Sequence, residues 1–285
     1  MIGIVLVNKP SGITSSKVVV KLRYMAKIKR VGHLGTLDPL ASGVLPVCIG
    51  KATRLFDLFL KKRKTYIAHI EFGKLTDSLD IDGNVIETNN IIPTEEQIMD
   101  VLPTFIGEQE QVPPIYSSKV VAGVRAYKLA REGKEVELKP SLITIYDIKL
   151  LEKINEKTYS FEISCSSGTY IRSIARDLGY KLGTLGTISK LIRTKTGNFN
   201  LSDCVDLDEL NEENIKDNII PLKNILKDND RIELTQQHVI DLFCGKTVFV
   251  DLPNGTYVLY QNNEVVGLGA VNDKNLKLST SLKED

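Results

Sequence analysis

Hydrophobic positions along the chain change period several times, and each change marks a new element. GIVLVNKPSG opens with an unbroken apolar run, Ile4 to Val7, closed by a Pro-Ser-Gly turn, which predicts a short buried strand. Val18, Val19, Leu22, Met25 and Ala26 then recur at helical spacing behind Thr14 or Ser15, either of which caps a helix. Lys17, Lys21, Arg23 and Lys27 take its other faces, and about four turns are predicted. VLPVCIG reads as a strand, KATRLFDLFLKKRK as a helix with a basic end, and TYIAHIEFG alternates as a strand. FEISCSSGTYIRSIARDLGYKLG predicts strand, turn and helix, with Ile171, Ile174, Leu178 and Leu182 as the buried stripe and Arg172 and Arg176 together on another face. A Pro-Pro break in QVPPIYSS precedes a helical stretch bearing tyrosine and arginine. Residues 203 to 230 hold nine acids against three lysines and read as a surface connection. From Arg231 onward TVFVD, TYVLYQ and NEVVGLGAV predict short strands joined by turns such as Pro-Asn-Gly. The expected class is therefore α+β: a mixed α/β body over residues 1–230 and a small β domain over 231–285.

Composition adds boundaries to this picture. A 285-residue chain with 42% hydrophobic content can bury a substantial core. It has no apolar run long enough to span a membrane, and its first residues lack the charged and apolar regions of a secretory leader. Cys48, Cys165, Cys204 and Cys244 are scattered without a CxxC pair, as expected of reduced thiols. A soluble cytoplasmic chain without membrane association is expected. The net charge of +1 conceals an asymmetry. Residues 1–74 carry 14 Lys/Arg against Asp38, Asp57 and Glu71, a balance of +11 that leaves −10 for the other 211 residues. A polyanion-facing surface on the N-terminal part accounts for such a split, although a solvated basic face with an acidic counterpart would too.

Familiar catalytic signatures are missing. GVLPVCIGKAT resembles a phosphate loop only in its Gly-Lys ending, and Ala52 sits where the magnesium ligand belongs. DSLDIDGNVIETN hints at a calcium loop, but Ser78 takes the first ligand position and Asn89 the twelfth. No HExxH, GxSxG or GxGxxG occurs, so no nucleotide, metal or serine-hydrolase machinery is expected.

What remains is a set of polar residues in loops. GHLGTLDPLASG, residues 32–43, holds three glycines and a proline and reads as loop, yet carries His33 and Asp38 beside a buried strand. Taken singly, an Asp-Pro is ordinarily a turn former, a histidine is ordinarily structural, and an arginine in a helix's first turn is ordinarily solvated. Together they suggest more. A carboxylate without a metal motif can act as nucleophile or base, and inside a pocket it needs a cation within about 4–6 Å to stay ionised. Tyrosines beside basic runs, Tyr66 after KKRK and Tyr170 beside Arg172, suit stacking of a displaced base beneath an anionic backbone.

GHLGTLDPLASGVLPVCIGKATR, KTYIAHIEFGKLTDSLDIDG, QVPPIYSS…RAYKLAREG and CSSGTYIRSIARDLG occur in this order and resemble the bacterial tRNA pseudouridine-55 synthase family, TruB, from about residue 3 to 200. The resemblance implies a mixed α/β catalytic domain around a bent mixed sheet, followed by a PUA-like β module. It implies isomerisation of one uridine in the T-stem-loop of tRNA, with no cofactor, no metal and no obligate protein partner. On this likeness Asp38 is the catalytic aspartate, attacking either C1′ of the ribose or C6 of the base. Tyr66 stacks on the flipped uracil and is available for proton transfer, and Arg172 pairs with the nucleophile. Tyr170 and Leu191 line the uridine pocket, and Asp80 hydrogen-bonds around it. His33 occupies the space the flipped base leaves or supports the RNA there, and Lys9 lies in a motif packed beneath the catalytic loop. An RNA-gripping insertion is implied around 111–140. Ser167 stands where the family usually has lysine, Val120 likewise with Lys119 preceding it, and Asn8 stands where aspartate is frequent. The first two departures bear on RNA affinity. Two rival expectations are a guide-dependent synthase of the same superfamily and a non-catalytic tRNA-binding or folding protein.

Overall fold

The first apolar run folds as strand β1 (Gly3–Lys9), in which Ile4, Val5 and Val7 are fully buried. A computed structural model describes residues 1–60, 62–117, 119–121, 123–132 and 138–283. Thr14 caps helix α1 (Ser15–Ala26), its side chain accepting from the Lys17 amide. The helix has 12 residues, nearer three turns than four, because Lys27 turns left-handed at φ 54° and ends it. Its stripe buries Val18, Val19, Leu22 and Ala26 as the spacing predicts, with Met25 half-buried.

β2 (Val31–His33) and β3 (Ser42–Ile49) follow, pairing antiparallel with each other, and β3 also pairs with β1. Thus both ends of the glycine-rich stretch are strand and only its middle is loop. A 3₁₀ segment (Gly50–Leu55) and the short α2 (Phe56–Leu60) replace the single basic-ended helix expected there. β4 (Lys64–Phe72) alternates buried and half-buried positions along its whole length. β5 (Lys74–Thr76) and β6 (Val85–Thr88) form a separate hairpin, α3 (Glu95–Val101) starts on a capping box, and β7 (Gly107–Gln111) closes one edge of the main sheet.

The Pro-Pro region leads into a two-stranded ribbon, β8 (Val120–Val121) with β9 (Val124–Arg125), and then α4 (Ala126–Arg131). Of the insertion expected around 111–140, residues 118, 122 and 133–137 lie outside the described residues. β10 (Ser141–Lys153), β11 (Thr158–Cys165), α5 (Ile171–Lys181) and β12 (Gly186–Thr196) complete the central body.

The main sheet is mixed, and one join decides where the site lies. β12, β4, β11, β10 and β7 run antiparallel in that order, while β12 meets β3 in parallel over only two pairs, Ile192 with Ser42 and Arg193 with Gly43. At Gly43, φ is 101° and an added Cβ would stand 2.3 Å from the Arg193 carbonyl oxygen, so the chain leaves the loop there only as glycine. On the other side of β12, α5 packs as closely: a Cβ on Gly179 would lie 2.5 Å from the Gly186 nitrogen.

Residues 203–230 are more than a surface connection. Val205–Asp206 pairs in parallel with β1, Ile220–Pro221 pairs antiparallel with it, and Leu207, Leu210 and Ile215 are buried in the main core. Charged positions alternate with these apolar anchors, which is why composition alone reads the stretch as solvated.

The C-terminal strands Arg231–Glu233, Gly255–Gln261, Glu264–Asn272, Asn275–Ser281 and Val248–Phe249 make a five-stranded sheet, with a helix at Gln236–Phe243 that the strand pattern did not predict. Its hairpins turn at Asn262-Asn263 and Asp273-Lys274, all four at positive φ, the two-residue turn that Asn and Asp favour. This sheet shares a core with the body: Val258, Tyr260, Leu268 and Leu282 pack with Ile4, Leu6, Cys48 and Leu55. The class is the expected one, a mixed α/β body with a C-terminal β domain. No helix among the described residues is long and apolar enough to cross a membrane.

Candidate active site

The loop between β2 and β3 hangs over the β3–β12 join, held from both sides. Behind it, Ser15 Oγ donates to the Leu37 carbonyl and accepts from the Leu37 amide, both at 2.9 Å. The Gly12 amide donates to the Pro39 carbonyl at 2.8 Å. Lys9 is fully buried and donates from Nζ to the carbonyls of Ile13 at 2.7 Å, Pro10 at 2.8 Å and Pro39 at 3.3 Å. Burial lowers its pKa to about 8, with the Asp38 charge opposing and the Arg193 charge assisting that fall. Lys9 therefore supports the loop from beneath and is not part of the cleft wall.

In front of the loop lies a cleft of about 350 Å³. His33, Asp38, Tyr66, Tyr170, Arg172 and Leu191, six of the eight residues singled out from sequence, line it. Asp80 sits behind Arg172 rather than in the wall. Arg172 is buried, unlike the solvated first-turn arginine that is the ordinary case, and its Nε stands 2.9 Å from Asp38 Oδ2. That N–H is not aimed at the oxygen, so the contact is an ion pair without a formed hydrogen bond. The rest of the guanidinium is fixed: Nη1 donates to the Ser78 carbonyl at 2.8 Å, Nη2 to the Tyr116 carbonyl at 3.0 Å, and Asp80 Oδ2 lies 3.7 Å from Nη1. Asp38 thus faces a cation pinned by other groups, while its own side chain is over one-third exposed, at 37%. Arg176, one turn on, lies only partly buried and pairs with Asp177.

Asp80 is shaped by its own turn. Ser78 Oγ donates to Asp80 Oδ1 at 2.6 Å and the Asp82 amide to the same oxygen at 3.2 Å. Burial raises its pKa, while the Ser78 hydroxyl and the Arg172 charge pull the other way. The segment resembling a calcium loop therefore spends one carboxylate on internal hydrogen bonds and on Arg172.

Sequence reading missed Arg193. It is 1% exposed, stands directly across the β12–β4 ladder from Tyr66, and donates to the carbonyls of Val44 at 2.8 Å, Thr36 at 3.3 Å and Gly35 at 3.4 Å. It grips the loop from the front as Lys9 does from behind. Burial pushes the Tyr66 phenol up to about 12, with Arg193 drawing it partly back, so Tyr66 is a neutral phenol across the working pH range. Burial, and then the Arg193 charge, lower the His33 pKa, and its Nδ1 is buried without a hydrogen-bond partner among the described residues. Lys64 and Ser117 also line the cleft and were not anticipated; burial lowers the Lys64 pKa to about 8. A period-two count along β12 could have found Arg193, since it shares parity with Leu191.

Residues 23–171 match the model of the TruB family pseudouridylate synthase N-terminal domain, and residues 172–232 that of the tRNA pseudouridylate synthase B C-terminal domain. The chain belongs to the TruB family. Curated relatives called tRNA pseudouridine synthase B include one from Clostridium kluyveri, 40% identical over 98% of both chains. Another, from Clostridium perfringens strain 13, is 36% identical over 100% of both, and one from Francisella philomiragia is 39% identical over 93% of this chain and 90% of its own. The fold is shared with a chain in the "Crystal Structure of a Cbf5-Nop10-Gar1 Complex", at 24% identity, with a TM-score of 0.73 over 99% of this chain and 84% of that one. The resemblance drawn from the four sequence blocks thus holds along the length of this TruB-family chain.

The departures noted from sequence acquire structural contexts. Ser167 lines the cleft. Lys119 Nζ donates to the Lys139 carbonyl at 3.1 Å and Ser141 Oγ at 3.0 Å. Asn8 Nδ2 donates to Asp206 Oδ1 at 2.7 Å, where an aspartate would have met a like charge.

Proposed function

We propose that this chain isomerises one uridine of tRNA to pseudouridine, at position 55 of the T-loop, with the nucleotide everted into the cleft over Asp38. The observation that carries this reading is the Asp38–Arg172 pair at 2.9 Å within a cleft also lined by Tyr66, Tyr170 and Leu191. The fixed guanidinium sets a permanent positive charge opposite the carboxylate, and the unaimed N–H leaves the carboxylate able to turn toward an incoming atom.

Two routes use that carboxylate. In one, Asp38 attacks C1′ as N1 departs, giving a ribosyl ester and a uracil anion; the base turns, C5 attacks C1′, and the carboxylate is released. A carboxylate at an anomeric carbon follows retaining glycosidases. In the other, Asp38 adds to C6, N1–C1′ breaks and C5 bonds C1′ within that adduct, and the C6–oxygen bond then breaks to release the carboxylate. Either way N1–C1′ is exchanged for C5–C1′, C5 loses its proton and N1 gains one, so nothing is oxidised. Tyr66 stacks on the uracil and is placed for that proton transfer, Tyr170 and Leu191 bound the base, Asp80 steadies Arg172, and His33 takes the position the base vacates in the loop.

Eversion costs a few kcal/mol. The basic N-terminal region, the insertion around 111–140 and a PUA-like C-terminal sheet supply the RNA contacts that offset it. A tRNA substrate fits a cytoplasmic enzyme, and on this reading the chain acts without a guide RNA or partner protein. Incubating the purified chain alone with unmodified tRNA, and with a minimal T-arm hairpin, should yield pseudouridine at one position. Asp38→Asn should abolish the product while hairpin binding stays within about tenfold, or about 1.4 kcal/mol. Product from the variant would remove Asp38 from the chemistry.

A further inference from the structure

Three buried side-chain atoms of the described residues have no hydrogen-bond partner, and all three belong to residues of this one cleft: His33 Nδ1, Arg172 Nε and Ser117 Oγ. Arg172 has its ion pair with Asp38. Ser117 has nothing comparable. It is 4% exposed, and an unpaired hydroxyl at such a position carries a desolvation cost that native proteins ordinarily avoid.

Its position is tied to the catalytic pair. Gln111 exchanges two hydrogen bonds with the backbone of Tyr170, its Oε1 accepting from the amide at 2.9 Å and its Nε2 donating to the carbonyl at 3.1 Å. Ser173 Oγ and Arg176 Nη2 donate to the Val112 carbonyl at 2.9 and 3.2 Å. The Tyr116 carbonyl accepts from Arg172 Nη2 at 3.0 Å. The segment leading to Ser117 is therefore fastened to the first turns of α5 at three points, the last of them one peptide away. Arg172, which fixes Asp38, also fixes where Ser117 stands.

A uracil in this cleft would present its face to Tyr66 and its polar edge, two carbonyls and an N–H, to the walls. Flipped bases are read by hydrogen bonds to that edge, and a serine hydroxyl can either donate or accept. We propose that Ser117 is a substrate-binding residue whose hydroxyl hydrogen-bonds the polar edge of the everted uracil. This rests on the reading of the cleft as a uridine site. It makes the 111–117 segment part of base recognition as well as a grip on the RNA backbone.

The test compares Ser117→Ala with its parent, both carrying Asp38→Asn so that binding is measured without turnover. The expected result is about tenfold weaker binding of a T-arm hairpin with uridine at the target, the same affinity as the parent for a hairpin abasic there, and a melting temperature no lower than the parent's, since the alanine removes an unpaired buried polar atom. Ser117→Thr, which keeps the hydroxyl, should bind within about twofold of the parent. Equal affinity for the uridine hairpin, an equal penalty on the abasic hairpin, or a fall in melting temperature without a base-dependent loss would overturn the proposal. Whether the otherwise unmodified chain makes pseudouridine is measured alongside. If it does while Ser117→Ala changes nothing, only this inference fails; if it does not, the reading of the cleft fails first.

Discussion

At the scale of single residues, the site depends on charges held where solvent cannot screen them. Lys9 gives this a measurable sign. Its ammonium is buried against three carbonyls, and its pKa falls from 10.5 to about 8. Below pH 8 the lysine is charged in both folded and unfolded chains, and the folded chain bears the cost of burying that charge. Between about 8 and 10.5 the unfolded chain holds a proton that the folded chain has released, so the Lys9 contribution to stability rises with pH across that window. Urea unfolding at pH 7, 8, 9 and 9.5 should show the stability difference between the parent chain and Lys9→Met growing in the parent's favour as pH rises. Parallel profiles would mean that the burial of Lys9 does not perturb its titration. Asp38, Tyr66 and Arg172 were legible in sequence because each lies in a recognisable block. Arg193 was not, because IRTKT reads as an ordinary basic strand until the fold turns Leu191 and Arg193 inward together.

At the scale of elements, the site is a matter of how closely α5 approaches β12. Arg172 sits in the helix's first turn, and the helix is set against the strand by a glycine on each side, Gly179 and Gly186. The neighbours that an added Cβ would strike are backbone atoms of Leu185 and Gly186, which have no rotamer to yield with. Gly179→Ala should therefore tilt or lift α5, costing about 1–3 kcal/mol of stability. It should also depress pseudouridine formation more than hairpin binding, since Arg172 moves with the helix; unfolding curves and paired activity and binding measurements check both. A variant with the parent's stability would show that the helix has room to spare. Strands and helices of the body were readable from periodicity, as α1, β3, β4 and α5 show, the last two of which line the cleft. The acidic strap over 203–230 was not, because its anchoring residues, Leu207, Leu210 and Ile215, are spaced too irregularly for either period.

At the scale of the whole molecule, the C-terminal sheet reads in sequence as an appendage, yet it is packed into the body's own core. Hydrophobic pattern reveals that a β unit exists and leaves open which face it buries against what. Here Val258, Tyr260, Leu268 and Leu282 cover Ile4, Leu6, Cys48 and Leu55. Polar ties cross the same seam: Arg54 Nη1 donates to the Ser281 carbonyl at 2.8 Å, Lys51 Nζ to the Lys283 carbonyl at 2.6 Å, and Lys223 pairs with Glu264 at 2.8 Å. Ile4 and Leu6 lie on the opposite face of β1 from Val5 and Val7, which pack into the main core, so removing the sheet would open the cluster that this face of the strand shares with Leu34, Ala52, Leu55, Leu222 and Leu226. A chain ending at residue 230 should therefore lose cooperative unfolding at the parent's midpoint, bind a hydrophobic dye in the absence of denaturant, and lose activity even on a minimal hairpin. A sheet that served only to extend RNA contacts would leave a different record, with the shortened chain keeping its unfolding midpoint and its turnover of the hairpin while losing affinity for full-length tRNA alone. Measuring the midpoint first, and then affinity for both RNAs at two salt concentrations, separates the two outcomes, because a lost phosphate contact lowers the salt dependence of binding whereas a collapsed core does not do so selectively.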